Sequence, residues 1–528
     1  MQGVISVHHN SSRARRLLTA AGLATAALAA SLPAGTASAQ APTSASASAP
    51  QPRTATPAEA RTAAWLDAHP KETGSFFRDL PKGGDLHNHL SGAVRTEYLI
   101  KLAADDGLCI DATMTAVAPP CGNGTRPAAD ALTDGSFRQE IVRAWSMQDF
   151  PQGESGHDHF FATFGKFGAA TSNRGKMLAD VAGTAAAQNQ TYLETMVSPA
   201  SAGAKQLATD VGWDADLAAL HRKLLAGGRL DQLVTTAKQE ADTADAEFRD
   251  TADCATAAPG PACRITVRWV SQVSRNSAPE RVFTQIALGL RLAERDQRFV
   301  AVNLVQPEDG EISVRDYRLH MRMLNYLHGR YPAAHITLHA GELVPGLVKP
   351  EDLTFHIDDA VRTGQAERIG HGVDLVHEDR WQRLARDMAR RQIAVEVPLT
   401  SNAQILQVEG DEHPFPVYRK YGVPVVLSTD DPGVSRGDIG QEYRRAARTY
   451  GLGYAELKDL ARASLEYSFL PGRSLWRSDP VRQGFRPVEE CRTLESARCA
   501  RFTDRNPKAG LELRQERSFR TFEARYAG

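Results

Sequence analysis

Ile393-Ala394-Val395 and Val425-Val426-Leu427 are short apolar runs without strict alternation, and they decide the fold class. A strand with one face in water alternates, whereas a strand covered on both faces reads as a continuous apolar run. The first run follows a helical pattern at 380–391, and the same unit recurs along the chain. Candidate strands fall at 84–89, 191–196, 265–272, 299–304, 335–340, 368–370, 394–397 and 425–428. Helical stretches such as 282–296 and 315–328 lie between them. Eight such strands alternating with helices predict an α/β fold, a TIM-type (β/α)8 barrel with disulfide-clipped insertions, and not a sandwich. Barrels of this kind exceed 400 residues when they carry insertions, so one domain over 61–470 accommodates the length.

The 528 residues are 42% hydrophobic and 24% charged, which excludes collagen-like, coiled-coil and wholly disordered chains. Lys+Arg 62 against Asp+Glu 63 leaves no basic excess, so nucleic-acid binding by bulk charge has no support. Residues 1–39 read as a signal peptide: Arg13, Arg15 and Arg16, an apolar run from Leu17 to Ala30, then Ala37-Ser38-Ala39 before Gln40. Its removal would take three Arg and no acids, moving the formal charge from −1 to −4. No other stretch reaches the roughly 18–20 apolar residues of a spanning helix, so the expectation is a secreted protein with no membrane attachment after cleavage. Residues 40–60 are Ala/Ser/Pro-rich and read as a linker, and 471–528 as a C-terminal extension packed on the barrel. The six cysteines form three near-neighbour pairs, Cys109 with Cys121, Cys254 with Cys263 and Cys491 with Cys499. Six cysteines allow 15 connectivities; export and the Gly/Pro/Ala-rich settings favour three local disulfides. Cys109 and Cys121 lie in one long segment, roughly 103–134, and Cys254 and Cys263 at the end of another, roughly 201–261, both of which read as insertions.

Four polar clusters stand at the C-terminal ends of proposed strands: His87-Asn88-His89, His339-Ala340-Gly341-Glu342, His371 in Gly370-His371-Gly372, and Asp430-Asp431-Pro432. In α/β barrels that end carries the active site. Alternation along a strand puts His87 and His89 on one side, and a third imidazole with a carboxylate completes a site for a catalytic divalent metal such as zinc. A second H-x-H, His157-Asp158-His159, precedes a helix-like stretch with no strand before it and reads as a surface or cap feature.

Taken together, the clusters resemble the adenosine deaminase family, especially its secreted growth-factor-related branch. The stretch from Leu80 to Ala93 is similar to the family's first strand motif. His339-Ala340-Gly341-Glu342, Gly370-His371-Gly372, Pro398-Leu399-Thr400-Ser401-Asn402, His413-Pro414 and Ser428-Thr429-Asp430-Asp431-Pro432 follow in the family's order. The resemblance implies that His87, His89, His339 and Asp430 bind one Zn2+ per chain, which activates a water for attack on C6 of a purine. It implies that Glu342 protonates N1, that His371 orients the attacking group and takes or stabilises its proton, and that Asp431 bonds N7. The implied enzyme converts adenosine, and deoxyadenosine with it, to inosine and ammonia. Two positions depart from the family and touch substrate binding: Ser91 replaces the carboxylate associated with the ribose 5′-hydroxyl, and Gln306 aligns with the glycine whose amide meets the purine ring. They leave open a deaminase of adenine or of a 5′-modified adenosine, with a nucleoside-binding signalling protein as a third reading; oligomeric state is not legible.

Overall fold

The computed structural model describes residues 54–149, 151 and 153–526. The expected signal peptide and most of the expected linker lie outside the described residues. Strands β1 (Gly83–His89), β2 (Gln190–Val197), β3 (Thr266–Ser274), β4 (Phe299–Val305), β5 (His335–Ala340), β6 (Arg368–His371), β7 (Ala394–Val397) and β8 (Val425–Leu427) form one sheet in sequence order. Every neighbouring pair is parallel. An Asn88–Asp430 bridge closes the barrel, with Asp430 N donating to His87 O at 2.8 Å and His89 N to Asp430 O at 3.0 Å. Each strand stands within two residues of its expected place, and several carry the continuous apolar run that burial on both faces produces. The bonds that close the barrel therefore run through three of the candidate metal ligands.

The barrel interior is not purely apolar. Arg368 on β6 is buried between Glu194 on β2 and Glu396 on β7, donating to both carboxylates. Burial alone would raise the Glu396 carboxyl, but the Arg368 charge and the His87 hydrogen bond hold it down at about 2. Glu194 also accepts from Tyr192 Oη at 2.7 Å and from Phe469 N at 2.6 Å, which ties the chain after the last barrel helix to the centre of the barrel.

The segments outside the barrel are built rather than loose. Within 103–134, a small antiparallel sheet of Cys109–Ile110, Ala116–Val117 and Arg126–Pro127 is clipped by the Cys109–Cys121 disulfide. The segment 201–261 is largely helical, with Ser201–Val211, Leu217–Leu225 and Arg229–Thr251. The last of these packs on Arg174–Ala187 so closely that a Cβ at Gly175 would lie 2.4 Å from Ala244 O. Cys254–Cys263 clips the chain that follows it, and Cys491–Cys499 clips the tail. Helix Pro507–Tyr526 places Phe519, Phe522 and Tyr526 in the main apolar core, beneath the N-terminal end of β1. The first helix among the described residues, Pro57–Ala68, begins at a Thr56–Glu59 capping box inside the expected linker, four residues before Arg61. Among the described residues no helix is long and apolar enough to cross a membrane.

Removing one member of a buried ion pair leaves the rest uncompensated. Arg368→Leu is therefore expected to lower unfolding free energy by about 3–5 kcal/mol, read by urea denaturation. A loss under 1 kcal/mol would show that Glu194 and Glu396 do not need the guanidinium.

Candidate active site

The predicted residues converge at the C-terminal end of the barrel. His87 and His89 end β1, His339 lies on β5 with Glu342 just past it, His371 ends β6, and Asp430 and Asp431 follow β8. His371 (φ 66°) and Asp430 (φ 60°) hold backbone conformations unusual for residues with a Cβ, a strain that accumulates at functional sites.

Nε2 of His339 lies 3.1 Å from Nε2 of His87 and 3.3 Å from Nε2 of His89. Asp430 Oδ1 lies 3.4 Å and 3.2 Å from the two β1 imidazoles. These four residues are the group among the described residues able to hold a metal ion. Ligand atoms at about 2.0–2.1 Å from a tetrahedral zinc stand about 3.3 Å apart, and these four separations match that spacing.

The other nitrogen of each ring is engaged. Glu396 Oε2 accepts from His87 Nδ1 at 2.7 Å, Asn303 Oδ1 from His339 Nδ1 at 2.9 Å, and the Gln272 carboxamide lies 2.7 Å from His89 Nδ1. Such partners fix the rings so that Nε2 faces the ion. Ser401 Oγ donates to Asp430 Oδ2 at 2.6 Å, leaving Oδ1 toward the cluster. Burial, and then the facing His87, hold His339 well below the ordinary imidazole range, which leaves it a neutral lone-pair donor. None of these outer partners is visible as a motif. The one signal was a charge inside an otherwise apolar strand, as in Glu396, since a buried charge must have a partner.

The two remaining acids are held differently. Burial pushes the Glu342 carboxyl up, and burial with the adjacent Asp430 pushes Asp431 well up. Asp431 Oδ1 has no hydrogen-bond partner among the described residues. It occupies space that only glycine at 92 leaves free: a Cβ there would lie 1.7 Å from it. Glu308, absent from the sequence reading as a functional group, accepts from Gly341 N at 3.1 Å and Glu342 N at 2.8 Å, and so holds the turn that presents Glu342.

A cavity of about 430 Å³ opens above these groups. Its apolar lining consists of Phe160, Phe161, Phe164, Val305 and Ile405, with Pro307. The phenylalanines come from helix Gly156–Phe167, which carries the second H-x-H. That motif is a cap feature: His157 Nε2 meets Asp309 Oδ1 at 3.1 Å, and His159 Nε2 meets Ser146 O at 3.0 Å. Ser91 and Gln306 both line the cavity. Gln306 has φ 82°, a conformation that glycine takes freely, and its carbonyl accepts from Arg275 Nε at 2.8 Å.

The family profile described as Adenosine deaminase matches residues 176–475. Adenosine deaminase of Pectobacterium atrosepticum is 34% identical over 205 residues, covering 39% of this chain and 55% of that protein. Adenosine deaminase of Escherichia coli (strain SE11) is 36% identical over 180 residues, 34% of this chain and 49% of the relative. The chain thus spans about half the length of the curated relatives it matches. Among solved structures, Arabidopsis ADAL complexed with IMP superposes with TM-score 0.50 at 21% identity, over 78% of this chain and 96% of that one. An amidohydrolase from Burkhoderia ambifaria with bound Zn gives TM-score 0.50 at 17% identity, over 90% and 98%. At those identities the superpositions speak for the barrel alone. With a profile match over more than half its length, the chain belongs to the adenosine deaminase family.

Proposed function

We propose that this protein is an exported, zinc-dependent hydrolytic deaminase that converts adenosine and deoxyadenosine to the inosine products and ammonia. The observation that carries the reading is the convergence of three imidazole Nε2 atoms and one carboxylate beside two buried acids of raised pKa. Zinc held by His87, His89, His339 and Asp430 would supply Lewis-acid activation of water near neutral pH. N1 and N7 of adenine are both acceptors, so the residues that meet them must carry protons. Glu342 and Asp431, pushed toward their acid forms, meet that requirement. Glu342 protonates N1 as water adds to C6, Asp431 donates to N7 and holds the ring in register, and of the two water protons one restores Glu342 while the other leaves on the exocyclic amine as ammonia. His371 faces the addition site.

Among the described residues no Lys or Arg lines the cavity, so no cationic side chain is there to pair with a phosphate. A nucleoside is therefore favoured over a nucleotide. The phenylalanine wall and the uncharged Ser91 support a second reading on the same chemistry, in which an apolar 5′-substituted adenosine is also a substrate. Export is supported by the arginine-led apolar leader and by three disulfides.

Ammonia release from adenosine by the purified protein is the primary test, and none from any adenine nucleoside would overturn the proposal. The protein is expected to hold one zinc per chain by elemental analysis, and His87→Ala to lose metal and turnover together. Glu342→Gln should keep the metal while turnover drops about 10²-fold. Gly92→Ala, by displacing Asp431, should keep the metal and lower kcat/KM about tenfold or more.

Specificity constants test the substrate range. A hydrogen bond to a neutral hydroxyl contributes about 1 kcal/mol, so adenosine should exceed 5′-deoxyadenosine by only about fivefold. AMP should fall about 10²-fold or more below adenosine, because its phosphate would be desolvated in a cavity lined by no Lys or Arg. A near-hundredfold preference for adenosine over 5′-deoxyadenosine would mean that a charged group other than Ser91 meets the 5′-hydroxyl. Mass spectrometry of the secreted protein should find its first residue near Gln40; an intact leader would overturn export.

A further inference from the structure

Behind His371 lies a buried chain of three side chains whose proton count is constrained from one end. Phe415 N donates to Nδ1 of His413 at 3.0 Å, so that nitrogen offers a lone pair and carries no proton. His413 is buried, and its only other nitrogen, Nε2, lies 2.8 Å from the Asn402 carboxamide. A neutral imidazole has one N–H, which must therefore sit on Nε2. The Asn402 carboxamide, also buried, lies between two rings, with its nitrogen toward His413 Nε2 and its oxygen 2.8 Å from His371 Nδ1. In that orientation the amide nitrogen would donate to an atom that is itself a donor. A half-turn of the amide fills the same space and removes the conflict, so the hydrogen count and not the shape selects the orientation.

We infer that His413, acting through Asn402, fixes His371 as the tautomer with its proton on Nε2, so that His371 presents a hydrogen-bond donor to the reacting group and not a base. After the half-turn, Asn402 accepts from His413 Nε2 and donates to His371 Nδ1, and the single proton of neutral His371 is left on Nε2. That nitrogen has no partner among the described residues. The His371 ring packs against those of His87 and His339, with centroids 5.0 Å and 5.1 Å away. Glu342 Oε1 lies 3.6 Å from His371 Nδ1, beyond hydrogen-bond reach, so Asn402 is the group that decides. Burial above all holds His413 down at about 3, in agreement with its neutral form. His413 and Asn402 are positioning residues, and the arrangement explains why a histidine and an asparagine at 413 and 402 stand among motifs that touch neither metal nor substrate.

The inference deepens the proposed deaminase reading, yet the tautomer can be read without turnover. Long-range 1H–15N correlation of the zinc-loaded full-length protein, labelled at histidine nitrogen and assigned with His371→Asn, distinguishes a protonated Nε2 from a protonated Nδ1. The expected spectrum has pyrrole-type Nε2 and pyridine-type Nδ1 in both His371 and His413. A wild-type His371 protonated on Nδ1 overturns the inference, whatever the activity. Asn402→Asp offers acceptors on both edges, so it should draw the His371 proton to Nδ1. It should also lower kcat tenfold or more, with KM within twofold and zinc content unchanged. An unmoved tautomer in that variant would likewise overturn the relay, and if the variant fails to fold the wild-type spectrum alone decides. A protein that released no ammonia from any nucleoside would defeat the deaminase reading and leave the tautomer test standing.

Discussion

Three imidazole nitrogens and a carboxylate oxygen stand within 4.8 Å of one another at the top of the barrel, four of their separations being 3.1–3.4 Å, and that crowding constrains everything near it. Neutral lone pairs at such distances repel, so the cluster is tenable only around a cation or a shared proton. The barrel answers with negative charge below: Glu396 accepts from His87 Nδ1 and is itself held as a carboxylate by Arg368. Arg368 in turn requires Glu194, and Glu194 reaches the chain that follows the last barrel helix. The ligand cluster and the lower half of the barrel thus form one electrostatic unit. The Arg368 network has a structural role by its burial and a functional one through His87.

Within a few ångströms of that unit, two further carboxyls behave in the opposite way. Glu342 and Asp431 lack a guanidinium, and burial favours their neutral forms. The contrast between Glu396 and Asp431 lies in their neighbours: Arg368 and His87 hold Glu396 down, whereas the adjacent Asp430 adds to burial in pushing Asp431 up. An ionised acid can orient an imidazole, and a protonated one can donate a hydrogen bond to a bound acceptor. The same side-chain chemistry acquires both uses from placement.

The cap helix and the clipped segments shape access without touching this electrostatics. Helix Gly156–Phe167 contributes phenyl rings to the cavity and is tied to the β4 side of the mouth through His157 and Asp309. A wall of that kind discriminates by shape and polarity, and it is the part of the pocket most free to vary between substrates of one reaction class. The three disulfides lie in the small sheet, after the long insertion helix and in the tail, away from the cavity.

The barrel was legible because each buried parallel strand writes its own local signature, as in Ile393-Ala394-Val395 and Val425-Val426-Leu427. The four ligands and the two acids were legible because each sits at the end of such a strand, and the family resemblance assigned their roles. The partners were not: Glu396 is 309 residues from His87 along the chain, and Gln272 is 183 from His89. Nothing in a stretch around Glu396 or Asn303 states which imidazole it will meet, because that depends on the register and tilt of strands far apart in sequence. The second H-x-H could be separated from the first by the missing strand, yet its phenylalanines joined the cavity only once the helix folded over the barrel mouth. The sequence by itself determined the fold class and the list of reactive groups, since both follow from local pattern. Tertiary structure decided which groups carry charge, which carry protons and what surrounds the substrate, since those depend on burial and on neighbours brought in from a distance.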